Sequence, residues 1–246
     1  MELSERELDR YNRQMMIKEW GVEGQVKLKK ARVVVVGSGG LGSPILIYLA
    51  AAGVGEIVVV DKEKFELSNL NRQVLGWERD VGNAKAVSAA EKLKSMNSDI
   101  SIIPRVLKIS QSNIDDIIDN ADVVVDALDN WDTRFIVNKA CVERGVPFVH
   151  AGIYGLSGQA TTIVPGKGPC LRCIIPGKPK DVGAFPVVGA TPGLFAMIEV
   201  MEVLKILIGF GETLVGKILV FNGEDMSFNK FDVSRNTACT VCGNIK

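Results

Sequence analysis

The sequence predicts a three-layer α/β fold in which a doubly wound, mainly parallel sheet is extended by antiparallel strands. Three observations support this prediction. Over roughly the first two thirds of the chain, short apolar runs alternate with segments of helical periodicity, which indicates βαβ connections. These runs are apolar at successive positions, as in parallel strands that are covered on both faces. After residue 151 the runs become typical of antiparallel strands, with one long apolar helix among them.

The predicted elements follow in chain order. Two polar helices precede the sheet, at Glu5–Trp20 and Glu23–Lys29. The parallel strands are expected at Ala31–Val36, Glu56–Val60, Ser101–Val106, Asp122–Ala127 and Pro147–Ala151. The helices that connect them are expected at Gly40–Ala52, Asn83–Met96, Ser112–Ile118 and Thr133–Arg144. The later strands are Gln159–Val164, Lys217–Asn222 and Ser227–Asp232, and the long helix is Pro192–Ile208. A segment rich in Pro, Gly and Lys, expected to be a linker, is Pro176–Pro186.

Charge and hydropathy exclude several classes of partner. Lys and Arg number 29 and Asp and Glu also number 29, so no overall field attracts nucleic acid or an anionic membrane. Val33–Gly55 carries no charge and is long enough to span a bilayer, but its glycines and its proline divide it into a strand, a loop and a helix. The first residues are charged and lack the apolar segment of a signal peptide, so we expect a cytoplasmic protein with no membrane or nucleic-acid partner.

A glycine-rich loop directly follows the first predicted strand. It fits the pattern G-x-G-x-x-G at the mouth of a helix, with glycines at Gly37, Gly39, Gly40 and Gly42. In this context backbone N–H groups can approach a phosphate. Asp61 ends the next strand, where a carboxylate can accept hydrogen bonds from ribose hydroxyls. The loop therefore predicts a nucleotide site. Two alternatives explain the same residues: the glycines serve packing alone, or they belong to the dinucleotide site of an NAD(P)-dependent oxidoreductase.

Polar side chains further along the chain favour a triphosphate. An amide, a guanidinium, a second amide and an ammonium follow the second strand, at Asn69, Arg72, Gln73 and Lys85. A dinucleotide site needs few cations, because backbone amides hold its pyrophosphate. Cations gathered near the carboxyl ends of the strands instead suit ATP and its leaving pyrophosphate. Asp129 follows a further strand at the same edge and could hold Mg²⁺.

In combination, these motifs resemble those of the ubiquitin-activating-enzyme-like adenylyltransferases, the family of the MoeB, ThiF and HesA proteins. The resemblance covers nearly the whole chain and is carried by Arg10–Gln14, the glycine loop, Leu67–Gln73, Lys85, Asp129–Asn130 and the final cysteines. It implies that ATP activates the C-terminal Gly-Gly carboxylate of a ubiquitin-like sulfur carrier protein. Pyrophosphate would be released, and the product would serve sulfur incorporation in molybdopterin or thiamine biosynthesis.

The resemblance also implies a role for each site residue. Asp61 would hold the ribose, and the phosphates would be held by Asn69, Arg72 and Lys85, with Gln73 and the glycine loop completing the nucleotide site. Asp129 would act through Mg²⁺, and Arg13 would reach the triphosphate of the neighbouring subunit in a homodimer. Such a reaction needs alignment of two anions and neutralisation of developing charge, but no protein nucleophile. We therefore expect the single histidine, His150, to be structural.

Four of the five cysteines form two C-x-x-C pairs, Cys170 with Cys173 and Cys239 with Cys242. Each spacing lets two thiolates bind one metal, so together they predict a structural Cys₄ zinc site, with a redox pair or a chance spacing as the alternatives. The fifth, Cys141, has the surroundings of a buried apolar residue. Many relatives carry a reactive cysteine in the crossover loop, here Lys178–Val188, which has none. We therefore expect the reaction to stop at the adenylate, with sulfur delivered by another protein.

We expect one domain over residues 1–246, divided into a helical arm (1–30), a nucleotide-binding core (31–165) and a zinc-bound crossover loop with the sheet extension (166–246). A nucleotide-dependent binding module without turnover is a further alternative to the enzyme, although nothing in the sequence indicates such a loss. Related enzymes that activate the carboxylate of a tRNA base share the expected fold, but the zero net charge and the absence of a basic tract disfavour RNA.

Overall fold

The computed structural model describes residues 2–177, 179, 183 and 185–244. In this part of the chain the strands are β1 Arg32–Val36, β2 Glu56–Val60, β3 Ser101–Arg105, β4 Val123–Asp126, β5 Phe148–Tyr154, β6 Ser157–Ile163, β7 Lys217–Asn222 and β8 Ser227–Asp232. The helices are α1 Glu5–Arg10, α2 Asn12–Met15, α3 Gly21–Lys30, α4 Gly42–Ala52, α5 Lys85–Met96, α6 Ile114–Ile117, α7 Trp131–Arg144, α8 Leu171–Ile174 and α9 Ala190–Ile208. The predicted linker and crossover loop lie partly outside the described residues.

All eight strands belong to one sheet, in the order β3-β2-β1-β4-β5-β6-β7-β8. The neighbours from β3 to β5 pair in parallel, and β6, β7 and β8 continue the sheet by antiparallel pairing. This arrangement confirms the predicted fold class and the expectation that the later strands extend the same sheet. The chain order reverses between β1 and β4, which is where open α/β sheets form a crevice beyond the carboxyl ends of their strands.

Helices cover both faces of the parallel part. In β1, Val33 and Val35 pack in the core formed with α4, α5 and α9, whereas Val34 and Val36 pack in the core formed with α6, α7 and α8. All four side chains are buried, because successive residues of a strand point to opposite faces and each face carries a helical layer. The uninterrupted valine run of β1 is thus explained by burial on both sides.

The main departures from the predicted boundaries have long-range causes. The first N-terminal helix is divided at Tyr11, a buried residue whose hydroxyl accepts a hydrogen bond of 2.9 Å from Asn97 Nδ2. β5 continues three residues beyond the predicted end at Ala151, because Tyr154 pairs with Ser157 across a tight turn. Gly155 occupies this turn with a φ of 59°, a conformation that glycine adopts without strain.

None of the helices in the described residues combines the length and the apolar character needed to cross a bilayer. The glycine and proline positions within Val33–Gly55 divide that uncharged stretch into β1, a loop and α4. Most of its apolar side chains belong to the cores on the two faces of the sheet.

Candidate nucleotide-binding site

A cavity of about 880 Å³ opens where the carboxyl ends of β1, β2 and β4 meet. Its volume lies in the range of pockets that enclose small-molecule ligands. Eight of the residues predicted to bind nucleotide line it: Gly37, Gly39, Gly40, Asp61, Arg72, Gln73, Lys85 and Asp129. Strand order therefore brings to one edge side chains that lie far apart in the sequence.

The glycine loop turns sharply between β1 and α4. Gly37 has a φ of 102°, and a Cβ atom there would lie 2.4 Å from the carbonyl oxygen of Ala127. A Cβ atom on Gly42 would lie 2.1 Å from the carbonyl oxygen of Gly37. Close backbone packing thus requires glycine at both positions, whereas Gly39 and Gly40 face the cavity. The loop leads into the N-terminus of α4, where free N–H groups and the helix dipole favour an anion.

Asp61 connects β2 to this loop. One carboxylate oxygen, Oδ2, accepts hydrogen bonds of 2.8 Å from both the backbone N–H and the hydroxyl of Ser38. The other, Oδ1, accepts a bond of 2.8 Å from the N–H of Glu63. Asp61 therefore fixes the conformation of the loop, and its partly buried carboxylate, which lines the cavity, retains lone pairs that can accept further hydrogen bonds.

Arg72 and Gln73 form a polar corner beside the glycine loop. Arg72 Nη1 donates to the carbonyl oxygen of Ser68 and to Asn71 Oδ1, both at 2.9 Å, which directs the side chain along the cavity wall. Among the described residues, its guanidinium makes no ion pair with a carboxylate. Gln73 is only 5% exposed, and its Oε1 atom has no hydrogen-bond partner in that part of the chain. Both side chains therefore retain bonding capacity for a ligand.

Lys85 places a buried ammonium group at the start of α5. The residue is 3% exposed, and its Nζ donates a hydrogen bond of 2.8 Å to Glu63 Oε2. Glu63 also lines the cavity, and its side chain is about half exposed. A buried cation beside a half-exposed carboxylate is suited to exchange that partner for a phosphate oxygen.

Asp129 lies in the turn between β4 and α7 and is exposed at the cavity edge. Its Oδ1 atom accepts a hydrogen bond of 3.3 Å from Asn130 Nδ2. Asn130 in turn caps α7, because its Oδ1 accepts a bond of 3.0 Å from the N–H of Thr133. The exposed oxygens of Asp129 are of the kind that Mg²⁺ prefers as ligands.

Three of the predicted residues are not part of the cavity wall. Asn69 is buried, and its Oδ1 accepts a bond of 3.1 Å from the N–H of Glu66 within a short 3₁₀ turn. Gly42 lies behind the loop, as its packing against Gly37 requires. Arg13 lies on α2 and is absent from the residues that line the cavity of its own chain.

The cavity also has an apolar wall that sequence reasoning missed. Leu107 and Ile109, after β3, lie on the cavity surface with Leu128 and Ile136. Segment 107–112 comes to the cavity because β3 pairs with β2, so its carboxyl end lies at the same edge. The signal available in the sequence was the predicted parallel strand Ser101–Val106, because the loops that follow the parallel strands of such a sheet lie at the same edge. A second group, Ile153, Phe185, Val187 and Pro192, lines the region nearer the later part of the chain.

His150 lies in β5 and is buried outside the cavity wall. Its Nδ1 atom is 2.5 Å from Asp126 Oδ2. Burial lowers the pKa of His150 despite the neighbouring carboxylate, so the neutral ring donates through Nδ1. The structure thus agrees with the expected structural role of this histidine.

The four paired cysteines converge away from the cavity. Their sulfur atoms all lie within 4.8 Å of one another, with Cys170 3.7 Å from Cys239 and Cys173 3.3 Å from Cys242. A tetrahedral zinc ion with Zn–S bonds of about 2.3 Å needs sulfur atoms about 3.8 Å apart, so this donor set fits Zn²⁺. The N–H of Asn236 approaches Cys173 Sγ at 3.5 Å, a contact that would stabilise a bound thiolate. The remaining thiol, Cys141, is fully buried, as predicted.

Known proteins resemble this chain both in sequence and in fold. The chain is 44% identical to the SAMP-activating enzyme E1 of Haloferax volcanii, over 99% of this chain and 92% of that protein. It is 42% identical to the sulfur carrier protein adenylyltransferase of Thermus thermophilus, over 99% of this chain and 93% of that protein. Among solved structures, Escherichia coli MccB with ATP superposes with a TM-score of 0.84 at 28% identity, covering 95% of this chain and 73% of MccB. A model of the ThiF family matches residues 11–241, and the chain therefore belongs to the ThiF family.

Proposed function

We propose that this adenylyltransferase uses ATP to activate the C-terminal Gly-Gly carboxylate of a ubiquitin-like sulfur carrier protein, releasing pyrophosphate. The observation that carries the proposal is the cavity at which the glycine loop, Arg72, Lys85 and Asp129 lie together. The names of the Haloferax and Thermus relatives support a protein carrier as the substrate. We further propose that the product serves molybdopterin or thiamine biosynthesis.

The cavity offers a complementary surface for each part of ATP. The base fits the apolar wall of Leu107, Ile109, Leu128 and Ile136, and Asp61 accepts hydrogen bonds from the ribose hydroxyls. The triphosphate lies along the loop N–H groups and meets Arg72, Gln73 and Lys85, with Asn69 supporting the turn that carries them. The carrier tail enters past the group of Ile153, Phe185, Val187 and Pro192.

The reaction is a displacement at the α-phosphorus. A carboxylate oxygen of the carrier forms a bond to phosphorus, the bond to the bridging oxygen breaks, and pyrophosphate leaves with the electron pair. Arg72 and Lys85 neutralise charge that develops on the leaving group, which is the main way in which proteins accelerate phosphoryl chemistry. When bound at Asp129, Mg²⁺ supplies further neutralisation and orients the phosphates. The product is an acyl-adenylate, and the reaction of this chain ends there.

The functional unit in this proposal is a homodimer in which Arg13 completes the neighbouring site. Arg13 does not line the cavity of its own chain, although it lies in segment Arg10–Gln14, one of the segments that carry the resemblance to the family. Several large apolar side chains are exposed in the segment that carries Arg72 and Gln73 and leads to Lys85, namely Leu67, Val74, Trp77 and Val81. A partner subunit would remove this apolar surface from water. The four thiolates hold one structural zinc ion in each subunit.

Carrier-dependent exchange of labelled pyrophosphate into ATP tests the proposal. We expect exchange with carriers that end in Gly-Gly and none when those two residues are removed. Lys85→Ala should reduce exchange about a hundredfold, equal to roughly 3 kcal/mol of barrier. Lys94→Ala is the matched control, since Lys94 is an exposed lysine on the same helix, α5, and should leave exchange unchanged. Tight NAD binding without exchange would instead support the oxidoreductase alternative.

A further inference from the structure

A buried ion pair lies directly behind the turn that carries Asp129. Asp126, the last residue of β4, is fully buried, and Arg134, on the second turn of α7, is 6% exposed. Arg134 Nε lies 3.0 Å from Asp126 Oδ2. Neither side chain lines the nucleotide cavity, so neither is placed to touch a ligand there.

The pair holds both backbone polar groups of Leu128, the residue immediately before Asp129. Asp126 Oδ1 accepts a hydrogen bond of 2.9 Å from the N–H of Leu128. Arg134 Nη2 donates to the carbonyl oxygen of Leu128 at 2.5 Å and to that of Ala151, in β5, at 3.1 Å. The turn is thus tied to the neighbouring strand as well as to its own, which restricts where Asp129 can stand.

Asp126 is charged although it is fully buried, and this needs an explanation. Burial alone would raise the pKa of Asp126, but the Arg134 guanidinium and the hydrogen bond from His150 outweigh it, so the pKa is lowered and the carboxylate stays ionised. Burying such a pair is costly, and apolar residues of similar volume often stabilise a fold equally well. Stability therefore does not explain why charged groups occupy these positions, whereas the hold on Leu128 does.

We propose that Arg134, together with Asp126, is a positioning residue that fixes Asp129 at the cavity edge by restraining Leu128. This inference rests on the proposed function, since it assigns Arg134 a part in the reaction only through Asp129. It predicts that the geometry of the turn, and not merely the presence of a positive charge, is required. Lysine keeps the charge but cannot reproduce the planar guanidinium that reaches Asp126 and two carbonyl oxygens together.

The test compares Arg134→Lys with Arg144→Lys. Arg144 lies at the exposed end of the same helix, where its Nε is 3.3 Å from Asp115 Oδ1. In carrier-dependent exchange, Arg134→Lys should lower kcat about a hundredfold while the KM for ATP changes less than about threefold. The reason is that a misplaced Asp129 would raise the barrier of the reaction more than it weakens the binding of ATP. Hydrogen exchange measured by mass spectrometry should become at least about tenfold faster in a peptide over residues 127–131 and stay unchanged in α4. Arg144→Lys should leave all of these quantities unchanged.

Several outcomes would overturn the inference. Wild-type kcat and wild-type protection of residues 127–131 in Arg134→Lys would show that the guanidinium does not hold the turn. A loss of rate that only follows the fraction of unfolded protein, with faster exchange throughout the chain, would show a merely structural role. If the wild-type protein shows no exchange with any carrier, the proposed function fails, and with it the catalytic part of the inference. If Arg134→Lys does not fold, the double variant Arg134→Met with Asp126→Asn, which leaves no unpaired buried charge, takes its place in both measurements.

Discussion

The candidate nucleotide cavity and the cysteine cluster arrange their polar groups in opposite ways. At the cavity, Asp129 is exposed, Arg72 makes no ion pair among the described residues, and Gln73 Oε1 has no hydrogen-bond partner there. At the cluster, four sulfur atoms lie within 4.8 Å of one another, and Cys170 and Cys242 are buried. An open arrangement retains bonding capacity for a ligand that enters and leaves, whereas a closed one is satisfied by a single resident ion. We therefore expect changes at the cavity to affect rate and changes at the cluster to affect stability.

The largest effect on rate is expected for Asp129→Ala. Exchange should fall at least about a thousandfold, or roughly 4 kcal/mol of barrier. The reason is that the carboxylate is proposed to hold the Mg²⁺ that would neutralise charge on the phosphates. The free energy of unfolding should change by less than about 0.5 kcal/mol, because the side chain is exposed and not packed. Asp116→Ala, an exposed aspartate on α6, is the control for both measurements. Unchanged exchange in Asp129→Ala would remove this residue from the site.

Mixing two inactive variants tests whether the open site extends across a dimer. If Arg13 acts on the neighbouring site, an Arg13→Ala subunit paired with an Asp129→Ala subunit contains one site with both residues intact. Random pairing of equal amounts should then restore about a quarter of wild-type exchange, since half of the dimers each regain one of two sites. The measurement is exchange activity after subunit exchange, which labelled subunits can verify. Failure to recover in a mixture shown to exchange would mean that Arg13 acts within its own chain or that the dimer is not required.

At the closed cluster, Cys170→Ser should separate stability from nucleotide binding. Zinc content should fall from about one ion per chain to none, because a neutral hydroxyl cannot replace a thiolate ligand. The free energy of unfolding should fall by about 4 kcal/mol. This is the stabilisation that a ligand gives when its free concentration is about a thousand times its Kd. The affinity for ATP, measured at a temperature where the variant is folded, should stay within about twofold. Freshly prepared, reduced wild-type protein without zinc would contradict the prediction.

Elements that their own residues determine could be predicted from the sequence. The bounds of β2, β7 and β8 agree with the predicted Glu56–Val60, Lys217–Asn222 and Ser227–Asp232. The break of the first helix at Tyr11 could not be predicted, because it depends on a bond to Asn97 far along the chain. The same distinction holds at the site. The glycine loop is a local motif, whereas the apolar wall requires three separate segments to converge.

The sequence also contains a signal for the buried charges. Asp126 stands at the end of an apolar strand, and Glu199 lies within the long apolar helix α9. Charged residues in such surroundings are either paired or uncharged when they are buried. Asp126 is paired with Arg134, whereas neither carboxyl oxygen of Glu199 has a partner among the described residues.

Glu199→Gln is expected to stabilise the protein by an amount that depends on pH. Burial, reinforced by the charge of Asp126, raises the pKa of Glu199 well above its ordinary value of 4.5, so the folded protein holds this group uncharged. The unfolded chain ionises it near the ordinary value, so stability is highest below that pH and is lost as the pH rises toward the raised pKa. Each unit of the shift costs about 1.4 kcal/mol at higher pH, and glutamine removes this cost.

Denaturant unfolding of the wild type and Glu199→Gln at pH 5 and at pH 8 measures this effect. The advantage of the variant should grow between the two values, while exchange activity stays near that of the wild type. Glu224→Gln, at an exposed glutamate in the turn between β7 and β8, should show no such growth. A difference between wild type and Glu199→Gln that is independent of pH would show that the group is ionised in the folded protein.

The smallest effect is expected for Cys141→Ala, in the core on the opposite face of the sheet from Glu199. Burial, with a further contribution from the charge of Asp126, raises the pKa of the Cys141 thiol far above neutrality, so no nucleophilic thiolate is present. Exchange should stay within about twofold of the wild type, because an acyl-adenylate forms without a thioester to this protein. Loss of the small sulfur atom from the core should lower the free energy of unfolding by about 1 kcal/mol. Exchange and electrophoresis without reductant, after incubation with carrier and ATP, check both expectations. An adduct with the carrier that reductant removes and that Cys141→Ala cannot form would show that this cysteine, and not the adenylate alone, takes part in the reaction.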